Sequence, residues 1–192
     1  MWRWLAIAAG VLTLSALSGV GAYQLVRPAI EHGHAGGNPG NTKWQEIAWT
    51  FPRDGWPAGR AFRCASCGEG GAGVELYVRP KIGFCNCDTG VADDDEVDRV
   101  ADLDLISARF APTEAGKVVH VAGMAGRSRS YDLKMGNGAQ HAAIGIALSH
   151  RCDLLVAVAQ GSAPPSELQH EALAYLASRE MHRWMLASLG GR

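Results

Sequence analysis

The chain has 192 residues, 47% of them hydrophobic, with 18 Lys and Arg against 19 Asp and Glu, a net charge of −1 and a pI near 6.6. That length supports one domain with a real core. The balanced charge provides none of the basic footprint expected of a nucleic-acid binder or of a domain lying on an anionic membrane face.

The chain opens MWRWLAIAAGVLTLSALSGVGAYQLVRPAI, and no charge occurs from Trp4 to Val26. A bilayer core takes about 20 apolar residues as a helix, and leaving such a run in water costs about 25 cal/mol per Å² of apolar surface. Residues 1–26 therefore read as a signal anchor. A cleavable signal peptide is the other reading, with Val20-Gly21-Ala22 as its small-residue cut site. Both place the remaining chain outside the cytoplasm: a single-pass inner-membrane protein with its C-terminal domain in the periplasm, or a periplasmic protein if the leader is cut. Residues 4–26 are the expected membrane contact.

Residues 27–43, RPAIEHGHAGGNPGNTK, are rich in Gly, Pro and Asn and read as a flexible tether. His32 and His34 stand there as an H-x-H pair, expected to be solvated. The exported domain is expected over residues 44–192. It begins with Trp44, Trp49 and Trp56 among turn signals, a cluster expected to pack or cap the core. Short β-prone pieces follow. VELYV, Val74–Val78, alternates well, and KIGF is expected after a turn at Arg79-Pro80. DDDEVDRVADLDLI, Asp93–Ile106, sets Val97, Val100 and Ala101 at helical spacing behind an acidic start. Calcium is a competing explanation for those acids, but the EF-hand glycine is missing, and acids in a first helical turn complement the dipole.

KVVHVAG and SRSYDLK read as strands joined by a glycine-containing turn. AAIGIAL and LLVAVAQ, flanking SHRCD, read as a hairpin of two largely buried strands. Past Pro164-Pro165, one amphipathic helix is expected, capped by Ser166 with Gln169 three residues on. Its stripe is Leu173, Leu176, Ala177, Met181, Trp184 and Met185, and Gly190-Gly191 end it. The fold class is α+β: a small antiparallel sheet with this helix packed on it.

Four of the five cysteines lie in CASCGEGGAGVELYVRPKIGFCNC: Cys64, Cys67, Cys85 and Cys87. A zinc ribbon wants C-x2-C twice, and the second pair here is C-x-C. A c-type haem needs C-x-x-C-H, and residue 68 is Gly. A thioredoxin-like C-x-x-C needs a following helix N-terminus, and Gly-Glu-Gly-Gly-Ala-Gly will not start one. In an oxidising compartment structural disulfides are expected instead. They would run between the two pairs, as Cys64–Cys85 with Cys67–Cys87 or as Cys64–Cys87 with Cys67–Cys85, and each would close a loop of about 20 residues, contributing roughly 3 kcal/mol. No cofactor is then required; zinc on the four thiolates is the alternative. Cys152 is expected as a buried or turn thiol of its hairpin; an intermolecular disulfide or a reactive thiol is the other reading.

Arg127 and Arg129 form a basic pair set against the acidic Asp93, Asp94 and Asp95, and these five are the candidate partner-binding charges. The chain lacks G-x-S-x-G, a P-loop, H-E-x-x-H and S-x-x-K. His120, His141, His150, His170 and His182 are scattered. The expected function is a non-catalytic accessory, assembly or interaction subunit of an envelope complex with a protein partner and no nucleic acid. The alternatives are a metal-handling protein and an enzyme of unrecognised class.

Overall fold

The computed structural model describes residues 43–52, 54–83 and 89–190. The apolar segment 4–26, the His32/His34 pair, and Cys85 and Cys87 lie outside the described residues. Among those described, no helix is long and apolar enough to cross a membrane.

An eight-stranded, wholly antiparallel sheet carries the domain. Its strands are β1 (Trp44–Ile47), β2 (Arg60–Cys64), β3 (Val74–Lys81), β4 (Phe110–Pro112), β5 (Lys117–Val121), β6 (Met124–Lys134), β7 (Gln140–His150) and β8 (Asp153–Gly161). The order across the sheet is β1-β2-β3-β8-β7-β6, with β4 and β5 both pairing along the outer side of β6. Four helices cover it: α1 (Asp94–Val100), α2 (Leu103–Ile106), α3 (Pro165–Leu176) and α4 (Arg179–Leu189). The fold is α+β, as the alternating pieces and the late helical stripe imply.

Strand alternation sends side chains to two buried faces. One face holds Phe62, Cys64, Val74, Leu76, Ile144, Ile146, Leu155 and Ala157 under Leu168, Leu176, Met181 and Met185 of α3 and α4. The other holds Tyr131, Leu133, Ala143, Val156 and Val158 under Val97 and Val100 of α1 and Leu103 of α2. Burial on both sides explains why β7 and β8 are apolar almost throughout rather than alternating. Their hairpin turns at Arg151 (φ 57°) and Cys152. The β5–β6 hairpin turns at Ala122 and Gly123, both at positive φ, as a two-residue loop requires.

Three local expectations are corrected. First, Arg79-Pro80 is not a turn: both residues lie inside β3, opposite Val156 and Leu155 of β8, and the chain turns at Ile82-Gly83. Proline is tolerated there because β2 pairs with β3 only as far as Arg60↔Val78, so beyond that point β3 has a neighbour on one side only. Second, the C-terminal helix is two helices. Ser178 is extended (ψ 151°), and its side chain accepts from Met181 N, capping α4. Third, Ser166 does not cap α3. The helix begins at Pro165, whose fixed φ and missing N–H suit a first helical position.

Candidate functional site

The charges singled out in the sequence pair with one another. Asp93 caps α1, accepting from Glu96 N at 2.9 Å. Asp94 accepts from Arg127 and from Gly116 N. Asp98 accepts from Arg129 Nη1 at 2.7 Å and from the Tyr131 hydroxyl. The Gly116 amide and then Arg127 hold the Asp94 carboxyl below its ordinary range. Burial and then the Asp98 carboxylate push the Tyr131 hydroxyl far up. The acidic and basic groups thus meet rather than lie apart: Arg127 and Arg129 of β6 pair with Asp94 and Asp98 of α1, which packs on that strand. Asp95 is exposed.

A second ionic group closes the opposite side of the helical layer. Arg79, 3% exposed, donates to both oxygens of Asp102 and both of Asp54. Lys81 Nζ reaches Asp102 at 2.9 Å and the Val100 carbonyl at 2.8 Å. Trp49 and Trp56 lie against these two cations. Together with Phe51 on Tyr77, they strap the segment between β1 and β2 across this face. Trp44 instead enters the core on the other face, stacked on Tyr175.

A cluster of polar side chains gathers at one end of the sheet, where β2 and β8 end and β3 and β7 begin. A cleft of about 330 Å³ opens there, lined by Arg63, Glu75, His141, Gln160, Gly161 and Ser162 among others. Register explains the cluster: Arg63 and Gln160 are the cross-strand partners of Glu75 on either side, and His141 is diagonal to Gln160. Glu75 accepts from Arg63 Nη2 (2.6 Å), Tyr77 Oη (2.6 Å) and Gln160 Nε2 (2.8 Å). Burial acts to raise the Glu75 carboxyl, but these hydrogen bonds outweigh it and hold it below its ordinary value. Burial, then Glu75, push the Tyr77 hydroxyl well up.

This chain of bonds fixes a tautomer. Gln160 gives its amide N–H to a carboxylate, so its Oε1 faces His141 Nδ1, 2.6 Å away. An oxygen with only lone pairs requires a proton on Nδ1, and the neutral ring then carries a bare lone pair on Nε2. His141 is thereby oriented as an acceptor or ligand. In the Gln160→Leu variant nitrogen-detected NMR should show His141 losing its single Nδ1–H tautomer; an unchanged spectrum would show that the glutamine does not set it.

The same end of the sheet carries sulfur. Cys64, the last residue of β2, is fully buried and disulfide-bonded to Cys67 three residues on. Both expected cross-bridged pairings are therefore corrected for these two residues. The chain turns back immediately after β2, bringing the two Cα atoms to 5.6 Å, within bridging distance. Such a ring of about four residues contributes only about 2 kcal/mol in the chain-entropy model, less than a long cross-bridge. Joined sulfurs are not thiolate ligands, so the zinc alternative loses two of its four donors in this oxidised state. Cys152, expected as a thiol, is also disulfide-bonded.

Glycines hold this corner together. A side chain on Gly68 would meet Ala163 and Ala72 at 2.7 and 2.9 Å, and one on Gly161 would lie 2.4 Å from the Gly73 carbonyl oxygen. Gly161→Ala should therefore push the β2–β3 loop off β8, weakening the fold by about 1–3 kcal/mol in urea unfolding and shifting the amide resonances of residues 72–75. Past the loop, Cys67 lines a separate cavity of about 300 Å³ with Ser166, Glu167, His170 and Glu171 from the first turns of α3.

The sequence signal for the cleft was a matter of parity. Glu75 and Tyr77 are the polar half of VELYV, and His141 and Gln160 sit at the tips of apolar strands. Which tips meet depends on the strand order β2-β3-β8-β7, which spacing alone does not give.

No protein-family model matches the chain, and no curated protein matches it. Among solved structures it is similar to PA94 of Pseudomonas aeruginosa, a protein of unknown function, at 15% identity and a TM-score of 0.39, over 69% of this chain and 90% of that one. That likeness carries no functional argument.

Proposed function

We propose that this chain is a membrane-tethered interaction domain of the extracytoplasmic space, an accessory or assembly subunit of an envelope complex. Residues 4–26 hold it in the inner membrane, or deliver it to the periplasm if the leader is cut. The observation that carries the reading is the state of its sulfurs. Cys64 and Cys67 are bonded to each other, and Cys152 is bonded as well, the chemistry of an oxidising compartment. Asp94, Asp98, Arg127 and Arg129 pair across α1 and β6, and the cleft at the Cys64 end is the surface assigned to the partner. A partner group that donates to His141 Nε2 and accepts from Arg63 fits that surface.

Gentle solubilisation of membranes and co-purification with the full chain tests the reading. It predicts a defined partner whose recovery falls when Arg63 and His141 are both replaced by Ala. A chain recovered only as a lone monomer, or from the soluble cytoplasmic fraction with free thiols, overturns it.

A further inference from the structure

The Cys64–Cys67 bond has features that a plain staple does not need. Its ring is short, so its grip on the unfolded chain is weak. Its two sulfurs differ in access: Cys64 is sealed between Trp44 of β1 and Val74 of β3, whereas Cys67 is partly exposed on a cavity wall. The loop that follows turns at Gly70 and Gly71, both in the left-handed region, and is tied by the Gly68 amide donating to the Ala72 carbonyl and the Gly71 amide to the Gly68 carbonyl. The opposite wall of the cavity is the start of α3, where His170 supplies an imidazole and Ser166 a hydroxyl within the same 300 Å³ space.

We propose that Cys64–Cys67 is a thiol-exchange site at which Cys67 is the attacked sulfur. The co-reactant is a thiol, either a small one or a dithiol on a partner protein. Its thiolate attacks Cys67 Sγ, a new S–S bond forms to Cys67, and the Cys64–Cys67 bond breaks. The electron pair leaves on Cys64 Sγ, which takes up one proton. A second thiolate then attacks the co-reactant's sulfur in the mixed disulfide. Cys67 leaves and takes up a proton, and the co-reactant departs as a disulfide. Two electrons and two protons pass to this chain, and the reverse sequence oxidises a partner's dithiol. His170 is the group on the cavity wall suited to carry the proton to or from Cys67. This goes beyond the interaction reading: a partner that carries a thiol would be joined covalently, and reversibly, at the cavity.

The test uses the unreduced full chain in detergent, held in glutathione buffers of increasing reduced fraction, then acid-quenched, alkylated and mapped by peptide mass. The Cys64–Cys67 pair should open while circular dichroism still reports a folded domain. In Cys64→Ser, the Cys67 thiolate should attack oxidised glutathione, forming a Cys67–glutathione disulfide and releasing one reduced glutathione, at least about tenfold faster than Cys64 does so in Cys67→Ser, the difference that access imposes on exchange. Opening of the pair only where the domain unfolds, or equal adduct formation on the two sulfurs, would overturn the proposal. Should either variant fold poorly, the titration of the unsubstituted chain decides alone. The readout is made on purified protein, so a negative result here leaves the interaction reading standing, and a failed co-purification leaves this one standing.

Discussion

Replacing Arg79 by Met should cost the domain about 3–5 kcal/mol, the penalty for removing one partner of a buried ionic group. The guanidinium is 3% exposed and touches both Asp54 and Asp102. Lys81 remains beside Asp102 in the variant, but Asp54 keeps only the Trp56 amide among the partners described for it, and Trp49 loses the cation it packs against. Urea unfolding monitored by tryptophan fluorescence measures this, and a loss below about 1 kcal/mol would place the network among exposed pairs of little weight. Acid supplies an independent check. The hydrogen bonds from Arg79 outweigh burial and hold the Asp54 carboxyl at about 2 against an ordinary 3.8. A carboxylate whose folded value is depressed stabilises the fold fully above the unfolded value, and that stability is lost as pH falls through the folded one. Stability should thus decline between about pH 4 and pH 2, with a shallower decline in Arg79→Met.

Leu168→Ala should cost about 2–5 kcal/mol, by the lost transfer energy plus the cavity left behind. Leu168 is fully buried in the first turns of α3, and its Cδ2 would sit 3.6 Å from a side chain on Gly161, directly under the strand end that forms the cleft. Two readouts should move together. The denaturation midpoint should fall with an unchanged slope, and the α3 turn bearing Ser166, Glu167 and His170 should lose amide-exchange protection, because this side chain fastens it to the sheet. A drop in stability with full protection of that turn would mean that other contacts seat α3.

The fold was legible where one physical signal dominated. The apolar runs either side of SHRCD became β7 and β8 because a strand covered on both faces cannot hide its composition. The acidic start of 93–106 became a capped helix because Asp93 and the helix dipole both favour it. Legibility failed where two signals competed. Pro80 looked like a turn because the sequence does not show that β3 has an open side there. The C-terminal stripe looked like one helix because Ser178, a good cap, keeps the helical spacing nearly in phase across the break. The sulfurs were the sharpest case: compartment reasoning expects oxidation, but pairing depends on which Cα atoms the backbone brings close. A turn straight after β2 favours Cys64–Cys67 over any partner reached through the β3 strand. The cleft was legible only as polar residues at strand tips; its assembly needed the order of strands that are distant in sequence.

The proposed oxidised state outside the cytoplasm can be measured directly. The most direct measurement traps thiols in living cells with a membrane-permeant alkylating agent before lysis, then takes the intact mass of the isolated chain with and without reductant. Cys64, Cys67 and Cys152 should remain unlabelled until reductant is added. Immediate labelling of all three, in a chain recovered from the cytoplasm, would contradict it.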